Sequence, residues 1–328
     1  MRRRELIGLV AGAVAAWPFV TRAQQSGHRR RVGLLMGPAE TDADGQARAK
    51  TFRDALASLG WVEGRNVEFE YRWVGGDVSR ARNYASDLAN IVDVIMANGT
   101  PQLAASQHAT KSVPVVFAQV SDPVGGGFVG SIAHPGGNIT GCTDFEYSFG
   151  VKWLEVLKRV APNVRRVAVV HDPDNPNSSK FLSPIEAAAG SLGVTVSRVA
   201  AREANDIDRA IDAFADSQPG GLVVLPSVPA MEHRGRIFAG AARHNLPAIY
   251  PYRAFSSSGG LASYGVDTLD MYRCAAAYTA RILKGEQPAN LPVQFATRFE
   301  FVINLKAAKT IGLTVPPSEL LNATEVIE

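Results

Sequence analysis

Residues 121–130, SDPVGGGFVG, place Gly125, Gly127 and Gly130 at the spacing G-x-G-x-x-G, directly after the apolar run Val115-Val116-Phe117-Ala118. That spacing cradles a pyrophosphate when the glycines turn a strand into an unbroken helix whose N-terminal N–H groups face the phosphates. The helix is what this chain lacks. The following residues, Ser131-Ile132-Ala133-His134-Pro135-Gly136-Gly137-Asn138, bring a proline and paired glycines within about two turns. The stretch therefore reads as turn chemistry rather than nucleotide chemistry.

Other candidates are polar residues where an apolar run gives way to a helical pattern. A helix start beyond the carboxyl end of a parallel strand offers free N–H groups and a positive dipole end, which suit a carboxylate. Asn98-Gly99-Thr100-Pro101 is one such place, with Thr100 as N-cap and Pro101 in the first turn. It reads either as capping alone or as a ligand contact. Ser121-Asp122 is either a turn-former or a polar contact. The stretch 171–179 is mostly turn, but Asn177 and Ser178 at its helix start are candidates to grip a polar head group, with Ser227 as their counterpart further on. Tyr250 and Tyr264 either stack on a flat ligand or pack within a lobe. No Arg or Lys occurs in 98–102 or 171–179, so a doubly charged phosphate would lack its usual cations. His108, His134, His233 and His244 show no metal-ligand spacing and read as surface residues. No metal or cofactor is expected.

Those residues need elements to hold them. Strand-like runs at 32–36, 67–73, 92–97 and 115–120 alternate with helical stretches, one of which carries the stripe Phe52, Ala55, Leu56 and Leu59. After the glycine segment a helix with Phe149, Trp153, Val156, Leu157 and Val160 on one face opens a second series, with strands at 167–170, 194–199, 222–225 and 248–250. Short apolar strands separated by helices predict parallel sheets covered on both faces. Gly99-Thr100-Pro101 closes the third strand of one series and Ser227-Val228-Pro229 that of the other. The expectation is one α/β architecture used twice: two doubly wound parallel-sheet lobes with a hinge, their strand ends facing a shared cleft.

The chain has 328 residues and a formal net charge of +3. Its first 23 residues combine Arg2-Arg3-Arg4, a short apolar stretch from Leu6 to Val20, and Thr21-Arg22-Ala23 as a small-x-small cleavage site before Gln24. This predicts a secretory signal peptide and a periplasmic product, by either the twin-arginine or the general route. Four of the 34 basic and one of the 31 acidic residues lie in that segment, which leaves 30 of each in the remainder. The sequence pI of 8.9 is thus no nucleic-acid footprint. Cys142 and Cys274 are too few for a disulfide scaffold; one bridge is open to them, and buried free thiols are the expected state.

The expected division is a signal peptide at 1–23, a lead-in at 24–30 and a first lobe at 31–120, to which 261–290 returns. A hinge or crossover follows at 121–145, built on Gly125, Gly126, Gly127, Pro135, Gly136 and Gly137, then a second lobe at 146–255 and a final crossover and C-terminal segment at 291–328.

Gly99-Thr100-Pro101, Asp122-Pro123-Val124 with Gly127-Phe128-Val129, Pro135-Gly136-Gly137-Asn138-Ile139-Thr140-Gly141, Gly259-Gly260-Leu261 with Ser263-Tyr264-Gly265, and Phe301-Val302-Ile303-Asn304-Leu305 together resemble a substrate-binding protein family of ABC transporters. The resemblance spans essentially the whole chain after residue 23. It implies the type I periplasmic binding protein fold, no catalysis, capture of a small solute, and delivery to an inner-membrane permease. Some members bind tryptophan or phenylalanine, so it further implies an amino acid or similar carboxylate with an apolar or aromatic part; a sugar or nucleobase is the alternative. A monomer without nucleic-acid partners is expected. Gly141-Cys142-Thr143 also echoes the cysteine motif of aspartate/glutamate racemases, but that chemistry needs a second thiol in an upstream strand-end loop, and Cys274 lies in a helical run. A sugar-sensing repressor would need a helix-turn-helix where this chain has its basic and apolar start.

Overall fold

Arg30–Met36 (β1) begins the fold because Val32, Leu34 and Met36 point to one face of a sheet while Leu35 points to the other, and both faces are covered. The computed structural model describes residues 29–175, 177–215 and 220–328. The signal-peptide reading of 1–23 and most of the lead-in lie outside them. After β1 come α1 (Ala43–Ser58), β2 (Val67–Trp73), α2 (Val78–Ala89), β3 (Val94–Asn98), α3 (Thr100–Ala109), β4 (Val115–Val120) and β5 (Ile139–Thr143). The second series runs α4 (Phe149–Val160), β6 (Arg166–His171), α5 (Ser178–Ala189), β7 (Thr195–Ala200), α6 (Ala204–Ala215), β8 (Gly221–Val224), α7 (Val228–Glu232), α8 (Arg234–Arg243), β9 (Ala248–Tyr250), α9 (Arg253–Ser257) and β10 (Ala262–Val266). The chain ends with α10 (Thr268–Leu283), β11 (Gln294–Phe295), β12 (Phe299–Asn304), α11 (Leu305–Thr310), α12 (Pro317–Asn322) and β13 (Glu325–Ile327).

Two sheets result, ordered β11-β5-β4-β3-β1-β2 and β13-β12-β10-β9-β8-β6-β7. The first is parallel throughout; in the second only β10 and β12 pair antiparallel. The five strands of each series take the same doubly wound order, as the sequence rhythm predicts. In lobe 1, α1 and α10 cover one face and α2 and α3 the other.

Three findings depart from expectation. The glycine stretch does not carry the chain between lobes, because β5 pairs beside β4 in the same sheet. It is a lobe 1 loop whose glycines answer local demands. A Cβ on Gly125 would lie 2.3 Å from the Asp122 carboxylate that accepts its N–H, and Gly127, Gly136 and Gly137 have φ of 73, 74 and 68° in the order 127, 137, 136. Pro135 sits in the same loop. The crossings lie instead at 144–148 after β5, at Asp267 between β10 and α10, and at 296–298 between β11 and β12. Of the segment 261–290, then, α10 joins lobe 1 while β10 stays in lobe 2.

Cys142 and Cys274 are not free thiols but a disulfide. Packing of α10 on β5 brings their Cα atoms to 6.4 Å, inside bridging range. Finally, Leu59 of the α1 stripe is exposed at the helix end, and the buried face is Gly45, Arg48, Ala49, Phe52 and Leu56.

At the lobe 2 side of the crossings, Phe149, Tyr264 and Phe299 lie parallel, with ring centroids 5.6 to 6.4 Å apart. Phe149 directly follows the first crossing and Phe299 the third, and Tyr264 lies three residues before the second. Phe145, within the first crossing, packs against Phe149 and Tyr252.

Candidate functional site

The carboxyl ends of both sheets face a cleft of about 420 Å³ between the lobes. From lobe 1 it is walled by Asn98 at the end of β3, Gly99 and Thr100 just past it, Gln119 and Ser121 at the end of β4, Asp144 after β5, and Arg48 from α1. Lobe 2 contributes Asn175 and Asn177 before α5, Ser227 and Met231 around α7, and Tyr252 after β9.

Asn98 is a brace. Its Oδ1 accepts the Gly37 N–H at 3.0 Å and its Nδ2 donates to Gln119 Oε1 at 3.1 Å, tying three strand ends together. Gln119 Oε1 also accepts the Tyr272 hydroxyl of α10 at 3.1 Å. A bulge in β4 between Ala118 and Val120 aims that side chain, and Gln119 has φ 57°, a left-handed conformation that costs a residue with a Cβ of order 1–3 kcal/mol. Gly99, with φ 85°, is the residue that caps α3, so Thr100 is the first helical residue rather than the cap.

Thr100 instead reaches across the cleft: its Oγ1 accepts Asn177 Nδ2 at 2.8 Å. Asn177 Oδ1 in turn accepts the Tyr147 hydroxyl at 2.8 Å. Towards the rim, Lys180 donates to the Gly125 carbonyl and Arg234 stands 3.6 Å from Asp42. These contacts join the lobes in a closed arrangement. Ser227 lines the cleft but spends its side chain capping α7, accepting the Ala230 N–H at 3.2 Å.

Asp144 is the buried acid of the site. Its Oδ1 accepts from Ser121 Oγ and from the Phe145 N–H, both at 2.7 Å, and its Oδ2 accepts from the Tyr252 hydroxyl at 2.8 Å. Burial pushes its carboxyl above the usual carboxylate range, and these hydrogen bonds oppose the shift. Burial likewise raises the Tyr252 phenol, with the Asp144 charge adding to it.

Four expected contacts lie elsewhere. Tyr250, 1 % exposed, packs face to face on Phe255 and edge-on to Phe238, within lobe 2. Tyr264 stacks on Phe149 and Phe299. Asp122, with φ 40°, spends its carboxylate on the Gly125 N–H, and Ser178 turns its hydroxyl back to the Asp172 carbonyl. In each case the side chain's contacts lie on its own lobe. Conversely, Arg48, Gln119, Asp144 and Tyr252 were not singled out. One signal was readable: Arg48 is a cation four residues before Phe52 on the apolar stripe of α1, where core residues belong.

A model of the ABC transporter substrate binding protein family matches residues 38–327. The chain belongs to that family. A curated tyrosine-binding protein of Clostridioides difficile is 26 % identical over 270 residues, which cover 80 % of this chain and 76 % of that one. Among solved structures, a conserved domain protein of Vibrio cholerae is 29 % identical with a TM-score of 0.84, covering 90 % of this chain and 99 % of that chain. An ABC domain in complex with L-Trp from Streptococcus pneumoniae is 26 % identical with a TM-score of 0.83, covering 91 % and 100 %. This substrate-binding protein thus serves an ABC transporter, holding a small ligand outside the cytoplasm for a permease. No helix among its described residues is long and apolar enough to cross a membrane.

Proposed function

We propose that this chain captures a free amino acid with an apolar or aromatic side chain in the periplasm and presents it, as a closed monomer, to its ABC permease. No bond is made or broken and no nucleic acid is engaged. The observation that carries this reading is the cleft itself: polar groups from both sheets' strand ends converge at its base, while Val74, Pro101, Phe181, Pro229 and Met231 give it apolar walls. A ligand bridging both lobes binds the closed state more tightly than the open one and so shifts that equilibrium. The relatives titled for tyrosine and tryptophan support an aromatic or similar side chain, and the basic, apolar first 23 residues support export.

Calorimetric titration of ligand-stripped protein with aromatic and branched amino acids, sugars and nucleobases tests the reading. Micromolar or tighter binding of an amino acid, with compaction in small-angle scattering, is expected. Binding of a sugar or nucleobase alone would overturn the ligand class and leave the transport role in place.

A further inference from the structure

Two opposite charges are buried in the cleft wall, and neither answers the other. Arg48 on the inner face of α1 is 6 % exposed and, among the described residues, its guanidinium has no hydrogen bond or ion pair. Of the other acids that line the cleft, Asp174 pairs with Arg202 at 2.9 Å, Asp77 caps α2 and Asp172 accepts the Asp174 N–H, while Glu232 is exposed at the end of α7. Asp144, 4 % exposed, is held only by neutral donors. The Arg48 charge acts on the phenols of Tyr252 and Tyr272, and Tyr252 is bonded to Asp144, so both charges stand at one end of the cleft. A buried charge without a partner costs several kcal/mol. A ligand that brought one charge of each sign would relieve both.

Resting on the amino-acid reading above, we propose that Arg48 receives the ligand's α-carboxylate and Asp144 its α-ammonium, so that the protein selects zwitterions over amines and over plain carboxylic acids. A guanidinium suits the first role because its planar fork of five N–H donors matches a carboxylate in two parallel hydrogen bonds. Asp144 suits the second because an ionised carboxylate has about four acceptor sites, and its three neutral donors leave room for an ammonium N–H. An ammonium placed there also favours the charged carboxylate against the desolvation that raises its pKa.

The test is titration of the full exported chain with L-tryptophan, L-tyrosine and L-leucine, each beside its decarboxylated amine and its desamino acid. The wild-type protein should bind the preferred amino acid about a hundredfold more tightly than either truncated form. Arg48→Gln should lose about a hundredfold for the amino acid yet bind the amine as the wild type does, and Asp144→Asn should show the mirror result with the desamino acid. Thermal unfolding separates this from a fold defect: without ligand, Arg48→Gln should melt no lower than wild type, because an unpaired buried charge has gone. An Arg48→Gln protein that binds the amino acid unchanged, or loses amino acid and amine equally, overturns the assignment. A wild-type protein that takes none of the three amino acids but binds a sugar overturns the amino-acid reading itself.

Discussion

The strand orders β2-β1-β3-β4-β5 and β7-β6-β8-β9-β10 are the same, yet the two lobes furnish their strand ends differently. Lobe 1 supplies the buried charges, Arg48 from its first helix and Asp144 just past its fifth strand; Ser121 donates to Asp144, and Asn98 and Gln119 tie the neighbouring strand ends together. Lobe 2 buries only neutral groups there, the Asn177 amide and the Tyr252 hydroxyl, together with apolar cover from Phe181 and Met231; its charged lining residues Asp172, Asp174, Arg202 and Glu232 are half-buried or exposed. Lobe 1 alone carries a disulfide. The difference teaches that one architecture can be used once to hold a charged head group and once to close over it. On this view ligand meets lobe 1 first, and lobe 2 adds the contacts made only on closure.

The largest test of that asymmetry is covalent. The Cys142–Cys274 bridge closes a span of 132 residues and belongs to lobe 1 alone. Replacing both cysteines by alanine should cost about 4 kcal/mol, seen by hydrogen exchange as lost protection in lobe 1 strands while β6 to β9 keep theirs. Equal loss in both lobes would show that they unfold as one unit.

Next come two matched glycines. A Cβ on Gly141 in β5 would lie 2.2 Å from the Phe117 carbonyl oxygen, and one on Gly265 in β10 would lie 1.8 Å from that of Pro251. Both clashes are with backbone, so Gly141→Ala and Gly265→Ala should each destabilise by about 3 kcal/mol in denaturant unfolding. A neutral result at either site would break the structural equivalence of the two fifth strands.

Asn177→Ala removes the hydrogen bond from lobe 2 to Thr100. Affinity should fall about threefold to tenfold; Thr100→Ala, which spares the Tyr147 hydrogen bond, should lose no more than that, and adding it to Asn177→Ala should change nothing further. Additive losses would mean that the two residues act on separate contacts. Smallest of all, Gly127→Ala places a Cβ at φ 73° in open space and should cost about 1 kcal/mol without altering ligand-driven compaction in scattering. Blocked compaction would return the glycine loop to a role in closure.

The strands that pack as plain apolar runs, such as Val115–Val120 and Val167–Val170, were legible in the sequence because burial on both faces demands that composition. β5 and β10 were not. Ile-Thr-Gly-Cys-Thr and Ala-Ser-Tyr-Gly-Val read as turn or motif, since the glycine in each is required by a neighbouring backbone that only the folded chain brings near. That concealment of β5 is also why the glycine loop read as a crossing. In the site, strand-end position was readable and side-chain direction was not. Asn98 ends a strand, Thr100, Ser121, Asn177 and Ser227 follow strands, and all five reach the cleft wall, whereas Tyr250, which also ends a strand, turns into the lobe, and Tyr252, two residues on, meets Asp144. Arg48 was readable only as a cation out of place on the α1 stripe, with nothing in the sequence to say that it faces the cleft.

The parallel rings of Phe149, Tyr264 and Phe299 bind three separate crossings into one slab on the lobe 2 side. Three independent straps would let the lobes shear, twist and splay; clamped at one end, they leave bending to the short backbone between the slab and lobe 1. Closure then becomes rotation about a single axle, and Asp144 opens one of the straps that form it. A ligand gripped there works on the short arm of a lever, so a slight shift at its head group swings the outer rim, where Arg234 meets Asp42, through a much wider arc.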